Sequence, residues 1–139
     1  ADRVASKVNI PLIHIADATG QAIREAGLTK VLLLGTNYTM EREFIKGKLA
    51  ADFNIEVVVP EKEDREGVSR IIYDELIRGK FLDNSRHFLL DVIQRHPHVQ
   101  AVILGCTELP LIVKQEDVDV PLFNTTKLHA MAVLDFAMK

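Results

Sequence analysis

The chain has a single cysteine, Cys106, among its 139 residues. One thiol excludes an internal disulfide and a cysteine-rich zinc site. A reduced, cytoplasmic compartment is the expectation that follows. Long apolar runs are missing too, and none approaches the roughly 20 residues that span a bilayer. The opening residues carry no signal-peptide pattern. There is no Lys/Arg cluster large enough to form a phosphate-binding face, and the formal net charge is −3. Nucleic acid and membrane are therefore not expected partners. The sequence also lacks Gly-x-Gly-x-x-Gly and Gly-Lys-Ser/Thr, which disfavours nucleotide binding.

What remains suits one ordinary domain. A hydrophobic fraction of 47% can fill a core and a charged fraction of 27% can cover it. The first residue is Ala, and residues 2–8 have the spacing of a helix near its end. A processed product or, preferably, a fragment of a longer chain is the expectation.

Short apolar runs alternate with helical periodicities along the chain. Residues 10–15 read as a short strand containing His14, with Pro11 near its start. Asp17 or Thr19 then caps a helix that carries Ala22, Ile23 and Ala26 on one face and stops at Gly27. Residues 30–35 form a second strand, apolar on both faces. A turn through Thr36-Asn37-Tyr38-Thr39 leads to a helix over 40–52, with Thr39 as a candidate N-cap. Residues 55–59 form a third strand, ended by Pro60. A long helix follows, with Val68, Ile71, Ile72, Glu75 and Leu76 on one face, and Gly79 ends it. A helix from Asp83 buries Phe88, Leu89, Val92 and Ile93 before Pro97. Residues 101–105 form the next strand and 120–123 the last. Asn124-Thr125-Thr126 caps a terminal helix with Leu128, Met131, Ala132 and Phe136 inward. Such alternation predicts an α/β fold: three layers, flavodoxin-like, a parallel sheet of about four strands with helices on both faces.

Three strand ends carry a small or amide residue followed by threonine: Gly35-Thr36, Cys106-Thr107 and Asn124-Thr125. In a parallel sheet all three lie at the carboxyl edge, where open α/β sheets bind ligands. Cys106 there has two readings. A buried cysteine is ordinarily a small hydrophobe. A reactive one needs a helix start or a cation nearby, and residues 109–113 can form a helical turn just after the thiol. Glu108 and Thr107 add a carboxylate and a hydroxyl beside it. His14, in its strand, reads as a core histidine. His129, one turn into the terminal helix, is nearer the same edge. His96-Pro97-His98 lacks a third ligand, so no metal is expected.

The segments Val31-Leu32-Leu33-Leu34-Gly35-Thr36-Asn37-Tyr38-Thr39-Met40, Ile103-Leu104-Gly105-Cys106-Thr107-Glu108-Leu109 and Asn124-Thr125-Thr126-Lys127-Leu128-His129-Ala130 resemble the aspartate/glutamate racemase family. Gly-Cys-Thr-Glu is similar to the aspartate racemase branch with its broad-specificity members, and Pro11 to Thr19 fits the same branch. The resemblance implies a cofactor-independent isomerase with two facing α/β domains, each supplying one acid/base residue. It implies that Cys106 is the second acid/base. Thr36, Thr39, Thr107 and Glu108 would bind an amino acid or dicarboxylate. A homodimer is also implied. On this resemblance residues 1–16 are a remnant of the first domain and 17–118 the second. Residues 119–139 would be a strand and helix returning to the first domain. The other acid/base residue would lie outside this chain. Ile77 stands where some aspartate racemases have lysine, which points away from strict aspartate specificity. Two other readings stay open: a carboxylate-binding module without catalysis, and a hydantoin racemase or maleate isomerase-like enzyme of the same superfamily.

Overall fold

The computed structural model describes residues 1–139, the side chain of Asp2 excepted. Four parallel strands form one sheet: β1 (Lys30–Leu34), β2 (Glu56–Val58), β3 (Ala101–Leu104) and β4 (Leu122–Asn124), in the order β2-β1-β3-β4. Val31, Leu32, Leu33 and Leu34 of β1 pair with Ala101, Val102, Ile103 and Leu104 of β3. All eight are buried. A parallel strand covered on both faces needs side chains that are apolar without alternation, and these two central strands have them.

The helices are α1 (Asp2–Ala5), α2 (Ile15–Glu25), α3 (Asn37–Glu41), α4 (Glu43–Phe53), α5 (Lys62–Asp74), α6 (Asp83–Gln94), α7 (Leu109–Ile112) and α8 (Thr125–Ala137). α2 packs between α4 and α8. Gly20 of α2 lets this happen, because a Cβ there would lie 2.5 Å from the Phe53 ring of α4. α5 and α6 run antiparallel. Arg95 near the end of α6 reaches Asp64 near the start of α5 (3.0 Å), and Ser85 at the start of α6 bonds Glu75 just past α5. The chain moves left from β1 to β2 and right from β2 to β3. Right-handed crossovers therefore place α4 and the α5–α6 pair on opposite faces. The result is the expected three-layer α/β fold.

Several local expectations are corrected. Residues 10–15 are not a strand: residues 11–14 are irregular and α2 begins at Ile15. Pro11 brings no ladder donor, and the four paired strands include none of this segment. His14 is instead the N-cap of α2, its Nδ1 accepting the Ala16 amide at 3.0 Å, so neither Asp17 nor Thr19 serves. The buried face of α2 is Ala16, Thr19, Gly20 and Ile23, while Ala26 is exposed.

The single helix expected over 40–52 is two. Arg42, extended at φ −86°, ψ 155°, separates α3 from α4. Thr36, not Thr39, is the N-cap of α3. α5 stops at Asp74, a 3₁₀ turn over Leu76–Arg78 follows, and Gly79 closes it at φ 70°. Phe88 is only half-buried, because its ring fills the space above Gly67.

α8 departs most. Met131 and Phe136, expected inward, are 48% and 53% exposed. Val133, Leu134 and Met138 are exposed as well. The helix is apolar nearly all round, so periodicity does not select a face.

Candidate functional site

The carboxyl edge of the sheet is built from the ends of β1 and β3. After Leu34 the chain passes through Gly35 to Thr36, whose Oγ1 accepts the Thr39 amide at 3.4 Å and lies 3.2 Å from Thr39 Oγ1. A hydroxyl at an N-cap satisfies one of the orphan amides of a helix start. The two hydroxyls thus share one small polar cluster, half-buried at Thr36 and buried at Thr39.

On the neighbouring strand Leu104 leads to Gly105, whose amide donates to the Leu34 carbonyl at 2.7 Å. The β1–β3 ladder therefore continues one residue beyond the regular strands. Gly105 is required for this approach: a Cβ there would lie 2.9 Å from the Leu34 oxygen and 3.3 Å from Thr39 Cγ2. The residue after Gly105 is Cys106. Thr36 and Cys106 thus stand just past the ends of the adjacent strands β1 and β3, with Thr39 three residues beyond Thr36.

Cys106 is half-buried and free. Its Sγ accepts the Leu109 amide at 3.3 Å, from the first turn of α7. Burial pushes the thiol above its ordinary value, and the Glu108 carboxylate pushes the same way. The Leu109 and Glu108 amides oppose them. Burial prevails, so the thiol keeps its proton at neutral pH. Glu108 is half-buried beside the thiol, and Thr107 is exposed.

The third threonine-bearing strand end behaves differently. Thr125 is 2% exposed, and its hydroxyl donates to the Leu104 carbonyl at 3.1 Å. It is occupied inside the fold rather than offered to a ligand. Asn124 caps α8 by accepting the Lys127 amide. His129 lies toward residues 11–14, its Nε2 donating to the Ile13 carbonyl at 2.8 Å.

Two features of the edge escape a reading of the sequence. Ser69, within the apolar face of α5, is buried, and its Oγ accepts the Asn37 amide at 3.1 Å. A serine among Val68, Ile71 and Ile72 was its only signal. The second is Asn37 itself, whose Oδ1 is buried without a hydrogen-bond partner.

A cavity of about 620 Å³ lies beside the edge rather than over Cys106, lined by Leu12, His14, Asp17, Phe44 and Lys48 among others. Lys48 pairs there with Asp17 (2.9 Å) and Asp52 (2.6 Å), which holds its ammonium well above the usual range. His96 is occupied by the Val92 carbonyl (2.7 Å), and His98 is exposed. Among the described residues no group of three or more His, Cys, Asp or Glu is arranged to hold a metal ion. No described helix is long and apolar enough to cross a membrane.

The chain is similar to several known proteins. Over 107 residues it is 36% identical to an uncharacterized protein from the pnlA 3′ region of Pectobacterium carotovorum subsp. carotovorum, covering 76% of this chain and 69% of that one. Its structure superposes on that of a proposed Asp/Glu racemase from Yersinia pestis with a TM-score of 0.96 at 44% identity. An aspartate racemase homologue from Pyrococcus horikoshii superposes at 0.92 and 39%. Each superposition covers 99% of this chain and 61% of the longer one. The aspartate racemase of Picrophilus torridus superposes at 0.70 and 26% identity, over 91% of this chain and 53% of its own. This chain thus spans between half and two thirds of the length of these solved structures. A family profile described as Asp/Glu/hydantoin racemase matches residues 1–133. With nearly every residue inside that match, the chain belongs to the Asp/Glu/hydantoin racemase family.

Proposed function

We propose that residues 1–139 form the cysteine-bearing half of a cofactor-independent amino-acid racemase, with Cys106 as one of two acid/base groups. The observation that carries this reading is the thiol at the end of β3, one residue past the Gly105–Leu34 bond, with the Thr36–Thr39 hydroxyl pair just past the end of the adjacent β1. Thr36, Thr39, Thr107 and Glu108 are the groups that hold the substrate.

An amino-acid α-proton is a very weak acid. Its removal needs a site that stabilises the developing negative charge and positions the base. Inverting the centre needs a base on one face and an acid on the other. A second group removes the α-proton, the Cα–H electron pair is left on the substrate, and Cys106 delivers its own proton to the opposite face. The thiol ends as thiolate and the other base ends protonated. The reverse reaction exchanges the two roles. A thiol that burial keeps protonated suits the donor half of this cycle. The second base comes from outside these residues. In this reading 1–16 are the end of a preceding domain, 17–118 the domain carrying Cys106, and 119–139 a strand and helix that pack back toward the first. The protein is an isomerase of the cytoplasm.

The test is α-proton exchange in deuterated water. The full-length protein is incubated with a panel of L-amino acids and a substituted hydantoin, and followed by proton NMR and chiral chromatography. Loss of the α-proton signal with inversion is the expected result, and Cys106→Ser abolishes inversion. Neither exchange nor inversion with any member overturns the reading. Activity on the hydantoin alone moves the assignment to that branch of the family.

A further inference from the structure

We propose that Ser69 and Thr125 are positioning residues, two buried hydroxyls that fix the two lips of the site separately. Ser69 sets the Thr36–Thr39 lip, and Thr125 sets the Cys106 lip. This proposal rests on the racemase reading for its kinetic consequences and on geometry alone for its structural ones.

Neither residue belongs to the strands that carry the site. Ser69 is on α5, 6% exposed, and its Oγ accepts the amide of Asn37 at 3.1 Å. Asn37 is the first residue of α3, directly after the Thr36 cap. A helix start leaves its first amides without intrahelical partners. Thr36 Oγ1 takes the amide of Thr39, and Ser69 takes that of Asn37. The orientation of the whole first turn of α3, with both threonine hydroxyls, is thereby referred to α5. The Asn37 Oδ1 is buried without a hydrogen-bond partner and so does not supply the anchoring. The backbone bond to Ser69 does.

Thr125 acts on the other strand. It is the first residue of α8, and its hydroxyl donates to the last carbonyl of β3, that of Leu104. Two residues later comes the thiol, held by the Leu109 amide. Removing the Thr125 donor leaves a buried carbonyl without that hydrogen bond, and such a group moves toward another donor or water. A shift at Leu104 is passed through Gly105 to Cys106, and it changes the distance from Sγ to the Leu109 amide. That amide is the leading contribution opposing the effect of burial on the thiol.

The lips are joined by the bond from the Gly105 amide to the Leu34 carbonyl, and Gly105 lies close against Thr39. Their outside anchors lie on different helices. One anchor can therefore be loosened while the other holds, and the two losses have different chemistry. Slackening Ser69 misplaces the hydroxyls that hold substrate. Slackening Thr125 misplaces the proton donor.

The test compares Ser69→Ala and Thr125→Val by two readouts. The first is the pH midpoint of Cys106 alkylation by iodoacetamide, which needs no substrate. Thr125→Val shifts this midpoint by at least half a pH unit, and Ser69→Ala leaves it within 0.2. The second is the kinetic split in the full-length protein. Ser69→Ala raises KM at least fivefold with kcat within twofold, whereas Thr125→Val lowers kcat at least tenfold. Thr125→Ser and Ser69→Thr, which keep a hydroxyl, restore at least half of each loss. They also carry the comparison if a parent variant does not fold. Equal changes in both variants, no change in either, or failure of the hydroxyl variants to restore would each overturn the proposal. If the full-length protein catalyses no exchange but the alkylation midpoints separate as stated, the racemase reading fails and the positioning stands. If exchange occurs and the midpoints do not separate, the reverse holds.

Discussion

The Gly105 amide and the Leu34 carbonyl meet at 2.7 Å, just past the last regular pair of β1 and β3. A methyl group on Gly105 would lie 2.9 Å from that same oxygen and 3.1 Å from Leu33 Cδ1. The oxygen is backbone and cannot swing away. Gly105→Ala is therefore expected to cost about 1–3 kcal/mol, the usual range for overpacking. Urea unfolding checks this: the midpoint falls while the slope is unchanged. A midpoint equal to that of the parent would show that the two strand ends separate freely.

The Cys106 thiol holds its proton more tightly when folded than when unfolded, because burial raises it. Its alkylation rate at pH 7.5 is expected to be below that of a free cysteine peptide, with a midpoint above the peptide's. The linkage has a definite sign. A raised acid contributes stability that is fully present below the unfolded pKa and lost as pH rises through the folded one. Stability is thus expected to decline on the alkaline side of about 8.5, the ordinary thiol value. Cys106→Ala removes that part of the decline, as thermal unfolding at pH 7 and pH 10 will show.

His14 titrates in the opposite sense. Its Nδ1 lone pair accepts the Ala16 amide, which fixes the neutral tautomer with hydrogen on Nε2. Burial lowers its pKa from 6.5, Asp17 opposes, and Lys48 and His129 add to the lowering. Protonation would put a donor against a donor and a positive charge at the positive end of α2. The stability His14 contributes is therefore present above about pH 6.5 and lost as pH falls through its lower folded value. His14→Ala is expected to cost about 0.5–2 kcal/mol at pH 7.5, the range for lost N-caps. His14→Ser keeps a cap and removes this acid sensitivity. Thermal midpoints at pH 5 and pH 7.5 separate the three proteins.

Much of this was legible in the sequence, for a physical reason. A parallel strand buried on both faces must be apolar without interruption, so residues 31–34 and 101–104 announced themselves. Glycine followed by a polar residue marked where each strand ended. The threonines and the cysteine could then be placed on one edge from topology alone. The failures share another cause. Residues 10–15 have strand-like composition but no neighbour to pair with, and pairing is not a local property. Thr36 and Thr39 stand three apart, so either can cap a helix. The choice of Thr36 follows from a helix that already begins at Asn37, whose amide is taken by Ser69 of the distant α5. In α8 apolar residues occur all round, so Met131 and Phe136 could be assigned inward with nothing local to contradict it. Ser69 and Thr125 were invisible as anchors because their partners lie in distant segments.

Ile103 tests the core beneath the site. It is fully buried on β3, paired with Leu33 on one side and Phe123 on the other. Truncation leaves a void at the centre of the sheet, where neighbours are least able to collapse. Ile103→Ala is expected to cost about 2–5 kcal/mol. Calorimetry should show a lower midpoint in a single transition. A loss under 1 kcal/mol would mean that the central strand relaxes more than a covered parallel sheet ordinarily allows.

The pairing of β1 with β3 also has a consequence for synthesis. Gln100 accepts the Lys30 amide although the two are 70 residues apart in the chain. At about 5–20 residues per second, a ribosome delivers β3 roughly 4–14 s after β1. During that interval Val31 to Leu34 wait for their central partner while α3, α4, β2, α5 and α6 emerge. The nascent chain carries the Thr36–Thr39 lip before the thiol-bearing lip exists. The paired carboxyl edge comes into being in one late step, when β3 slides in beside β1.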